Sequence, residues 1–188
     1  LQPEKVVLFA VNDCDNEQAV RESLDELAEL VKTAGAETVG HLIQNREKIH
    51  SATYIGSGKL VELKNAVEVL HATGIVCDDE LSPAQLKNLE KELNTKIMDR
   101  TMVILDIFAK RALTKEGKIQ VELAQLKYRA ARLVGLGSSL SRLGGGIGTR
   151  GPGEKKLEVD RRVINDRIAV LRHEVNDLQN HRNLAREK

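Results

Sequence analysis

Aromatic residues are scarce in this sequence. Its 188 residues include only Phe9, Tyr54, Phe108 and Tyr128, with no tryptophan. Proteins that bind single-stranded nucleic acid regardless of its sequence stack successive bases on aromatic side chains. Four scattered aromatic residues are too few for such a platform, which argues against that class. Recognition of folded RNA remains open, because it depends on shape and charge.

Cysteines and long apolar runs are also lacking. Cys14 and Cys77 are too far apart to form a metal-binding motif, so we expect free thiols in a reducing compartment. No apolar run approaches the about 20 residues of a membrane-spanning helix. The first five residues do not resemble the start of a secretory signal. We therefore expect a cytoplasmic monomer with no membrane span and no metal site.

Charge is unevenly distributed along a chain whose net charge is only +1. Residues 1–126 hold 15 Lys and Arg against 21 Asp and Glu. Residues 127–167 hold 10 against 4. A basic segment attached to an acidic body indicates a localised anionic partner, and nucleic acid is the usual one.

The first 100 residues alternate between short apolar runs and helical patterns. Ser82, Pro83 and Gln85 form a typical helix start, with a capping residue, a proline at the first helical position and a glutamine three residues after the cap. Repeated β-α-β units predict a parallel sheet flanked by helices. We expect an α/β domain over residues 1–112, with about four strands, at residues 5–11, 37–44, 75–77 and 96–98.

The rest of the chain reads as helical. Two apolar stripes, spaced by three or four residues with one step of seven in the second, predict a long antiparallel two-helix hairpin arm over residues 113–188. The stripes are Ile119, Leu123, Leu126, Ala130 and Leu133, then Leu157, Ile164, Ile168, Leu171, Val175 and Leu178. Residues 135–153 contain eight of the chain's fourteen glycines and are predicted to be the loop between the helices.

This glycine-rich loop is the main candidate for a binding site. Glycine lets the backbone approach a surface closely and expose its N–H groups to an anion. Arg142 and Arg150 bracket the central glycines, and their guanidinium groups suit phosphates and base edges. The candidate RNA-binding residues are Arg142, Gly144, Gly145, Gly146, Ile147, Gly148, Thr149, Arg150, Gly151, Pro152, Gly153, Lys155, Lys156, Arg161 and Arg162. A flexible linker is the alternative, but its leucines and Pro152 are unusual in a solvated spacer.

A second, lesser candidate is the segment Gly56, Ser57, Gly58 and Lys59, which could bind the phosphates of a nucleotide at a helix N-terminus. A P-loop would require glycine at position 53 and serine or threonine at position 60, where this chain has Thr53 and Leu60. The segment therefore does not match a P-loop, and we expect no nucleotide hydrolysis there.

Acidic residues follow the third predicted strand. Asp78, Asp79 and Glu80 could hold a metal ion, although such a cluster is more often a solvated turn. We find no arrangement of Ser, His and Asp, or of Cys and His, that predicts a catalytic site, so we expect no enzyme activity from this chain.

Several motifs together resemble the N-terminal region of the HflX family of ribosome-associated GTPases. The strongest is the stretch from Gly144 to Glu154. The others are residues 54–59, 81–85, 99–101, 104–109 and 116–126. Lys155 and Lys156 stand where the family often has Thr-Gln, and Met102 where it has glycine.

The resemblance implies a function. HflX proteins bind the large (50S) ribosomal subunit and, with GTP, split or rescue stalled 70S ribosomes under stress, their glycine loop reaching the 23S rRNA of the peptidyl transferase centre. The GTPase domain that binds GTP and Mg²⁺ follows this region in the family, so we expect no cofactor in these residues. That GTPase domain is an expected partner of this region.

Two other functions remain open. Some HflX proteins are described as binding ATP through their N-terminal region, which would make residues 56–59 a nucleotide site. Alternatively, the chain could regulate a GTPase domain through protein contacts made by the α/β domain or the last helix.

Overall fold

A computed structural model describes the backbone of residues 2–143 and 152–186, and the side chains of residues 2–131 and 162–186. The strands are β1 (Glu4–Asn12), β2 (Ala36–Asn45), β3 (Gly74–Cys77) and β4 (Lys96–Asp99). The helices are α1 (Glu17–Thr33), α2 (Ser57–Val69), α3 (Pro83–Leu93), α4 (Arg100–Arg111), α5 (Lys115–Leu143) and α6 (Pro152–Arg186). The predicted fold class, a four-stranded parallel sheet with flanking helices, is confirmed.

The strands lie in the order β2-β1-β3-β4. β2 therefore lies on one side of β1, and β3 and β4 lie on the other side. The connection from β2 to β3 crosses β1 in the direction opposite to the connection from β1 to β2. Parallel crossovers are right-handed, so a reversal of direction moves the connecting helix to the opposite face of the sheet. Helix α1 accordingly covers one face, and α2 and α3 cover the other.

Strand β1 is buried on both faces, and its side chains divide between two apolar cores. Val7 and Phe9 pack in the core formed with α2 and α3. Val6 and Leu8 point to the opposite face and pack with α1 and the first half of α4. A strand covered on both sides appears in sequence as an unbroken apolar run, which explains the run from Val6 to Val11.

Local side chains set the starts of α1 and α3. Ser82 Oγ accepts a hydrogen bond from the Gln85 backbone at 3.2 Å, and the Gln85 side chain accepts one from the Ser82 backbone at 3.0 Å. This is the predicted reciprocal cap of α3. Asn16 caps α1 in the simpler way, accepting a hydrogen bond from the Ala19 backbone at 3.1 Å.

Helices α5 and α6 pack against each other. Glu116 near the start of α5 pairs with Arg182 near the end of α6, at 3.2 Å. Further along, Glu122 pairs with Arg167 at 3.0 Å, so the two helices run antiparallel. The predicted apolar stripes are buried in this pair at Ile119, Ile164, Ile168 and Leu171. The turn of the predicted hairpin falls in residues 144–151, outside the described residues.

The predicted bounds of the glycine-rich loop require a correction. The backbone of α5 remains helical to Leu143, and α6 begins at Pro152, so residues 135–143, 152 and 153 are helical. The apolar spacing gives the reason, because Leu133, Leu136, Leu140 and Leu143 continue the stripe at intervals of three, four and three residues. Gly135 and Gly137 lower helix propensity without interrupting that spacing.

The chain divides into two compact units, Leu1–Ile107 and Phe108–Lys188. In the part of the chain that the structure describes, no helix combines the length and apolar character that crossing a membrane requires.

Candidate functional site

The strand order places a topological switch point at the carboxyl ends of β1 and β3. Open α/β sheets commonly bind ligands at such a point, because the loops that follow the two strands diverge to opposite faces. Here these loops are residues 13–16 and 78–82. This edge is therefore the first place to look for a site in the α/β unit.

Tyr54 occupies this edge. Its side chain is 1% exposed and its ring packs edge-on against Phe9 of β1, with the ring centroids 5.7 Å apart. Its hydroxyl donates a short hydrogen bond to the carboxylate of Asp79, which follows β3. Burial raises the pKa of Tyr54 well above its ordinary value, and the neighbouring Cys77 and Asp79 raise it further. The hydroxyl therefore remains protonated and acts as a donor at neutral pH.

The segment that carries Tyr54 is held tightly to the rest of the unit. Tyr54 has a left-handed backbone with φ of 67° and pairs through both backbone groups with His50, at 2.8 and 3.1 Å. Gln85 of α3 donates to the His50 carbonyl at 2.9 Å, and Asn88 donates to the Ala52 carbonyl at 2.8 Å. A hydrogen-bonded segment thus covers the switch point, and Tyr54 fills it.

Asp78, the first acidic residue after β3, is paired with an arginine. Arg100, the first residue of α4, pairs with Asp78 at 2.7 Å and with Glu26 of α1 at 2.8 Å. Ser23 donates to the second oxygen of Asp78 at 2.6 Å. Burial disfavours the charged form of Arg100, but Asp78 and Glu26 outweigh it, so the pKa of Arg100 rises. These contacts tie together α1, β3 and α4.

The carboxylates at this edge are engaged by groups of the protein itself. Across the described side chains, there is no group of three His, Cys, Asp or Glu residues that could hold a metal ion. Asp78 and Asp79 accept hydrogen bonds from the protein itself. Asp99, at the end of β4, is fully buried and accepts hydrogen bonds from the backbones of Leu81 and Met102 at 3.1 and 3.0 Å.

The lesser nucleotide candidate lies at the start of α2. Gly56 is its capping residue, and Ser57, Gly58 and Lys59 form its first turn. The Gly56 N–H already donates to the Gln44 side chain at 2.7 Å, and Lys59 pairs with Glu62 at 3.0 Å. Two of the groups that would hold a phosphate are thus engaged within the protein.

The main candidate lies almost wholly outside the described residues. Gly144, Gly145, Gly146, Ile147, Gly148, Thr149, Arg150 and Gly151 are not described at all. The backbones of Arg142, Pro152, Gly153, Lys155, Lys156 and Arg161 are helical, but their side chains are not described. Arg162 is described, and it is exposed on α6. The structure therefore joins the glycine-rich segment to the ends of two paired helices.

Comparison with known proteins decides the family. A family model described as GTP-binding GTPase N-terminal matches residues 21–109, and one described as GTP-binding GTPase Middle Region matches residues 111–188. The protein named GTPase HflX from Lacrimispora saccharolytica is 68% identical over 185 residues. The chain belongs to the HflX family. GTPase HflX from Escherichia coli is 44% identical over 166 residues.

The chain spans less than half the length of these relatives. The Lacrimispora match covers 98% of this chain but 44% of the relative, and the Escherichia coli match covers 88% and 39%. The match to a crystal structure described as a complex of SsGBP with GDP covers 96% of this chain and 45% of the chain in that structure. Its TM-score is 0.65 and its sequence identity is 22%. A GTP-binding protein from Sulfolobus solfataricus in complex with GDP has a TM-score of 0.60 and 23% identity. These two structures support the fold alone.

Three of the motifs that resemble HflX meet at the carboxyl edge of the sheet. Tyr54 reaches Asp79, Leu81 donates to Asp99, and Arg100 pairs with Asp78. These family motifs therefore hold the α/β unit together. Sequence reasoning assigned no role to Tyr54 or Arg100, because their partners lie 22 or more positions away and no local pattern marks them.

Proposed function

We propose that this chain is the ribosome-docking part of an HflX-type GTPase. It binds the 23S rRNA of the large ribosomal subunit in the cytoplasm, through residues 142–153 and the basic flank formed by Lys155, Lys156, Arg161 and Arg162. Together with the GTPase region of the whole protein, it helps to split or rescue stalled 70S ribosomes. The glycine-rich segment reaches the peptidyl transferase centre.

The antiparallel packing of α5 and α6 carries this proposal. Two helices with a shared apolar core and two ion pairs form a stiff support, and the glycine-rich segment is joined to both. A stiff support lowers the entropy lost when the segment binds. The basic segment and the glycine-rich segment overlap in sequence, so the groups suited to an RNA backbone are concentrated there.

The α/β unit supports a structural role better than a nucleotide site. Tyr54 fills the switch point, and Gln44 and Glu62 engage the groups at the start of α2. We therefore place the binding of GTP and Mg²⁺ in the part of the relatives that this chain does not span.

Sedimentation with purified large subunits over a salt series tests the proposal. We expect the wild-type chain to co-sediment and the Arg142→Ala/Arg150→Ala variant to bind more weakly. The slope of log affinity against log salt should become shallower by about two units, since each lost phosphate contact contributes roughly one.

The matched control is Lys64→Ala/Arg172→Ala, which removes the same charge from exposed positions outside the basic segment. It should bind like the wild type. Equal binding by all three proteins would show that another surface docks on the ribosome.

A further inference from the structure

The side chain of His50 holds a backbone turn together through one ring nitrogen. Its Nδ1 accepts hydrogen bonds from the backbone N–H groups of Ala52 and Thr53, at 3.1 and 3.2 Å. The Thr53 hydroxyl also lies 3.2 Å from this nitrogen, and it donates to the Ile55 carbonyl at 2.7 Å. We name residues 50–55 the histidine turn.

These contacts determine the protonation state of His50. A neutral imidazole donates through one nitrogen and accepts through the other, whereas a protonated imidazole donates through both. Because two N–H groups point at Nδ1, the closed turn requires a neutral ring whose proton is on Nε2. A proton on Nδ1 would face the N–H groups of Ala52 and Thr53 and leave both without an acceptor, which is costly for half-buried groups.

The histidine turn positions Tyr54 at the carboxyl edge of the sheet. His50 pairs with Tyr54 through both backbone groups, and the Tyr54 backbone is left-handed. Tyr54 and Ile55 are each 1% exposed. The backbone that carries these two buried side chains is therefore the backbone that the His50 ring holds closed.

The charges around the turn leave the His50 ring to its backbone donors. Helix α3 contributes the uncharged side chains of Gln85 and Asn88. The ionisable groups around the turn are Arg46, which lies beside Gly56, the exposed Glu47 and Lys48, Lys59, which pairs with Glu62, and Asp79, which accepts from Tyr54. Among the described side chains, His50 takes part in no ion pair, so no carboxylate there stabilises a protonated ring.

We propose that His50 is a pH sensor for the carboxyl edge of the sheet: the neutral ring closes the histidine turn, and uptake of a proton on Nδ1 opens it and loosens Tyr54. Histidine is the side chain that ordinarily changes charge between about pH 5 and 8. The closed turn excludes a proton from Nδ1 and the open turn accepts one. The ratio of open to closed molecules therefore rises as the pH falls, by up to about tenfold per pH unit. This inference does not depend on the ribosomal role of the chain.

NMR spectroscopy of the wild-type chain tests both halves of the proposal. Long-range proton–nitrogen correlations of the ring at neutral pH should place the His50 proton on Nε2. Hydrogen exchange then measures the opening, as protection factors corrected for the intrinsic effect of pH. Between about pH 7.5 and 5.5, the protection factors of the Ala52 and Thr53 amides should fall by up to about tenfold per pH unit, while those of the β1 amides stay constant.

His50→Asn separates the acceptor from the titration. Asparagine presents an acceptor oxygen to the backbone N–H groups that follow it but takes up no proton in this pH range. The variant should keep the protection at neutral pH and lose its pH dependence. The matched control is His71→Asn, at an exposed histidine whose left-handed backbone asparagine readily adopts, and it should behave like the wild type.

Three results would overturn the inference. A proton on Nδ1 of wild-type His50 at neutral pH would contradict the geometry of the closed turn. Protection factors in the wild type that do not change with pH would show that protonation does not open it. An equal fall in the wild type and in His50→Asn would assign the pH dependence to another group. If His50→Asn does not fold, the two wild-type measurements still decide the matter.

Discussion

Tyr54 packs at the carboxyl edge of the sheet and makes contacts of different physical kinds there. Its ring packs against Phe9, its hydroxyl donates to Asp79, and its backbone pairs with His50. The ring contact is apolar and the hydroxyl contact is a charge-assisted hydrogen bond, so the two can be separated by substitution.

Tyr54→Phe should keep the fold and lower the free energy of unfolding by about 1 kcal/mol, because it removes one hydrogen bond while Asp79 remains open to water. Tyr54→Ala should cost about 3–5 kcal/mol, since it also leaves a cavity beside Phe9. Urea denaturation at neutral pH measures both. An equal loss in the two variants would show that the ring contributes nothing.

The raised pKa of Tyr54 predicts a pH dependence. Unfolded tyrosine ionises near pH 10, whereas the buried hydroxyl ionises only at higher pH. The unfolded state therefore loses its proton first, and the stabilisation present below pH 10 declines as the pH rises above it. Above pH 10 the wild type should lose stability more steeply than Tyr54→Phe, by up to about 1.4 kcal/mol per pH unit. Parallel curves would contradict the burial of this hydroxyl.

Arg100 links two helices and a strand through Asp78, which is 9% exposed. Arg100→Ala should lower the free energy of unfolding by about 2–4 kcal/mol, because it leaves the Asp78 carboxylate nearly buried without its cation. Arg21→Ala breaks an ion pair whose side chains are about half exposed and should cost under about 0.5 kcal/mol. Similar losses in the two variants would mean that Asp78 finds water or another donor.

At the scale of the element, α6 depends on the apolar stripe that faces α5. Leu171 is fully buried, whereas its neighbour Val170 is 49% exposed. Leu171→Ala should destabilise the second unit by about 2–4 kcal/mol, and Val170→Ala should cost under about 1 kcal/mol. Thermal unfolding followed by circular dichroism, with hydrogen exchange along α5 and α6, tests this. If Val170→Ala were the more damaging, α6 would pack through a different face.

The elements of this fold are predictable from sequence where the signals are local. The cap of α3 at Ser82 and the apolar run of β1 are both readable within a few residues, and both are confirmed. The end of α5 is not predictable in this way. Glycines at 135 and 137 indicate a loop, while the leucines up to Leu143 continue the helical spacing, and in the structure the spacing prevails.

Long-range contacts explain what the sequence left unpredicted. The sequence allowed the acidic residues after β3 to hold a metal ion, although a solvated turn was favoured, and only the packing of α4 shows that Asp78 pairs with Arg100. Likewise, nothing near Tyr54 in sequence shows that its ring would pack against Phe9 of β1 or that its hydroxyl would reach Asp79 after β3.

Across the whole molecule, residues 1–126 and the basic segment differ in charge and in structure. The body formed by residues 1–126 carries more acidic than basic residues and has its switch point filled, while the basic segment lies on α5, α6 and the segment between them. Because like charges repel, an acidic body disfavours non-specific binding to RNA elsewhere on the chain.

This division predicts that the 188-residue chain alone does not turn over GTP or ATP. Phosphate release should equal that of the buffer, with and without large subunits, and Lys59→Ala should change nothing, because Lys59 pairs with Glu62. Saturable turnover that disappears in Lys59→Ala would contradict this and would make the start of α2 a nucleotide site.

The proposed function depends on contact between the glycine-rich segment and ribosomal RNA. A photoreactive amino acid placed at position 147, with position 61 of α2 as the control, tests this directly after irradiation with large subunits. We predict adducts to 23S rRNA from position 147 that diminish at high salt, and none from position 61. Adducts to ribosomal proteins alone, or equal RNA adducts from both positions, would contradict the account.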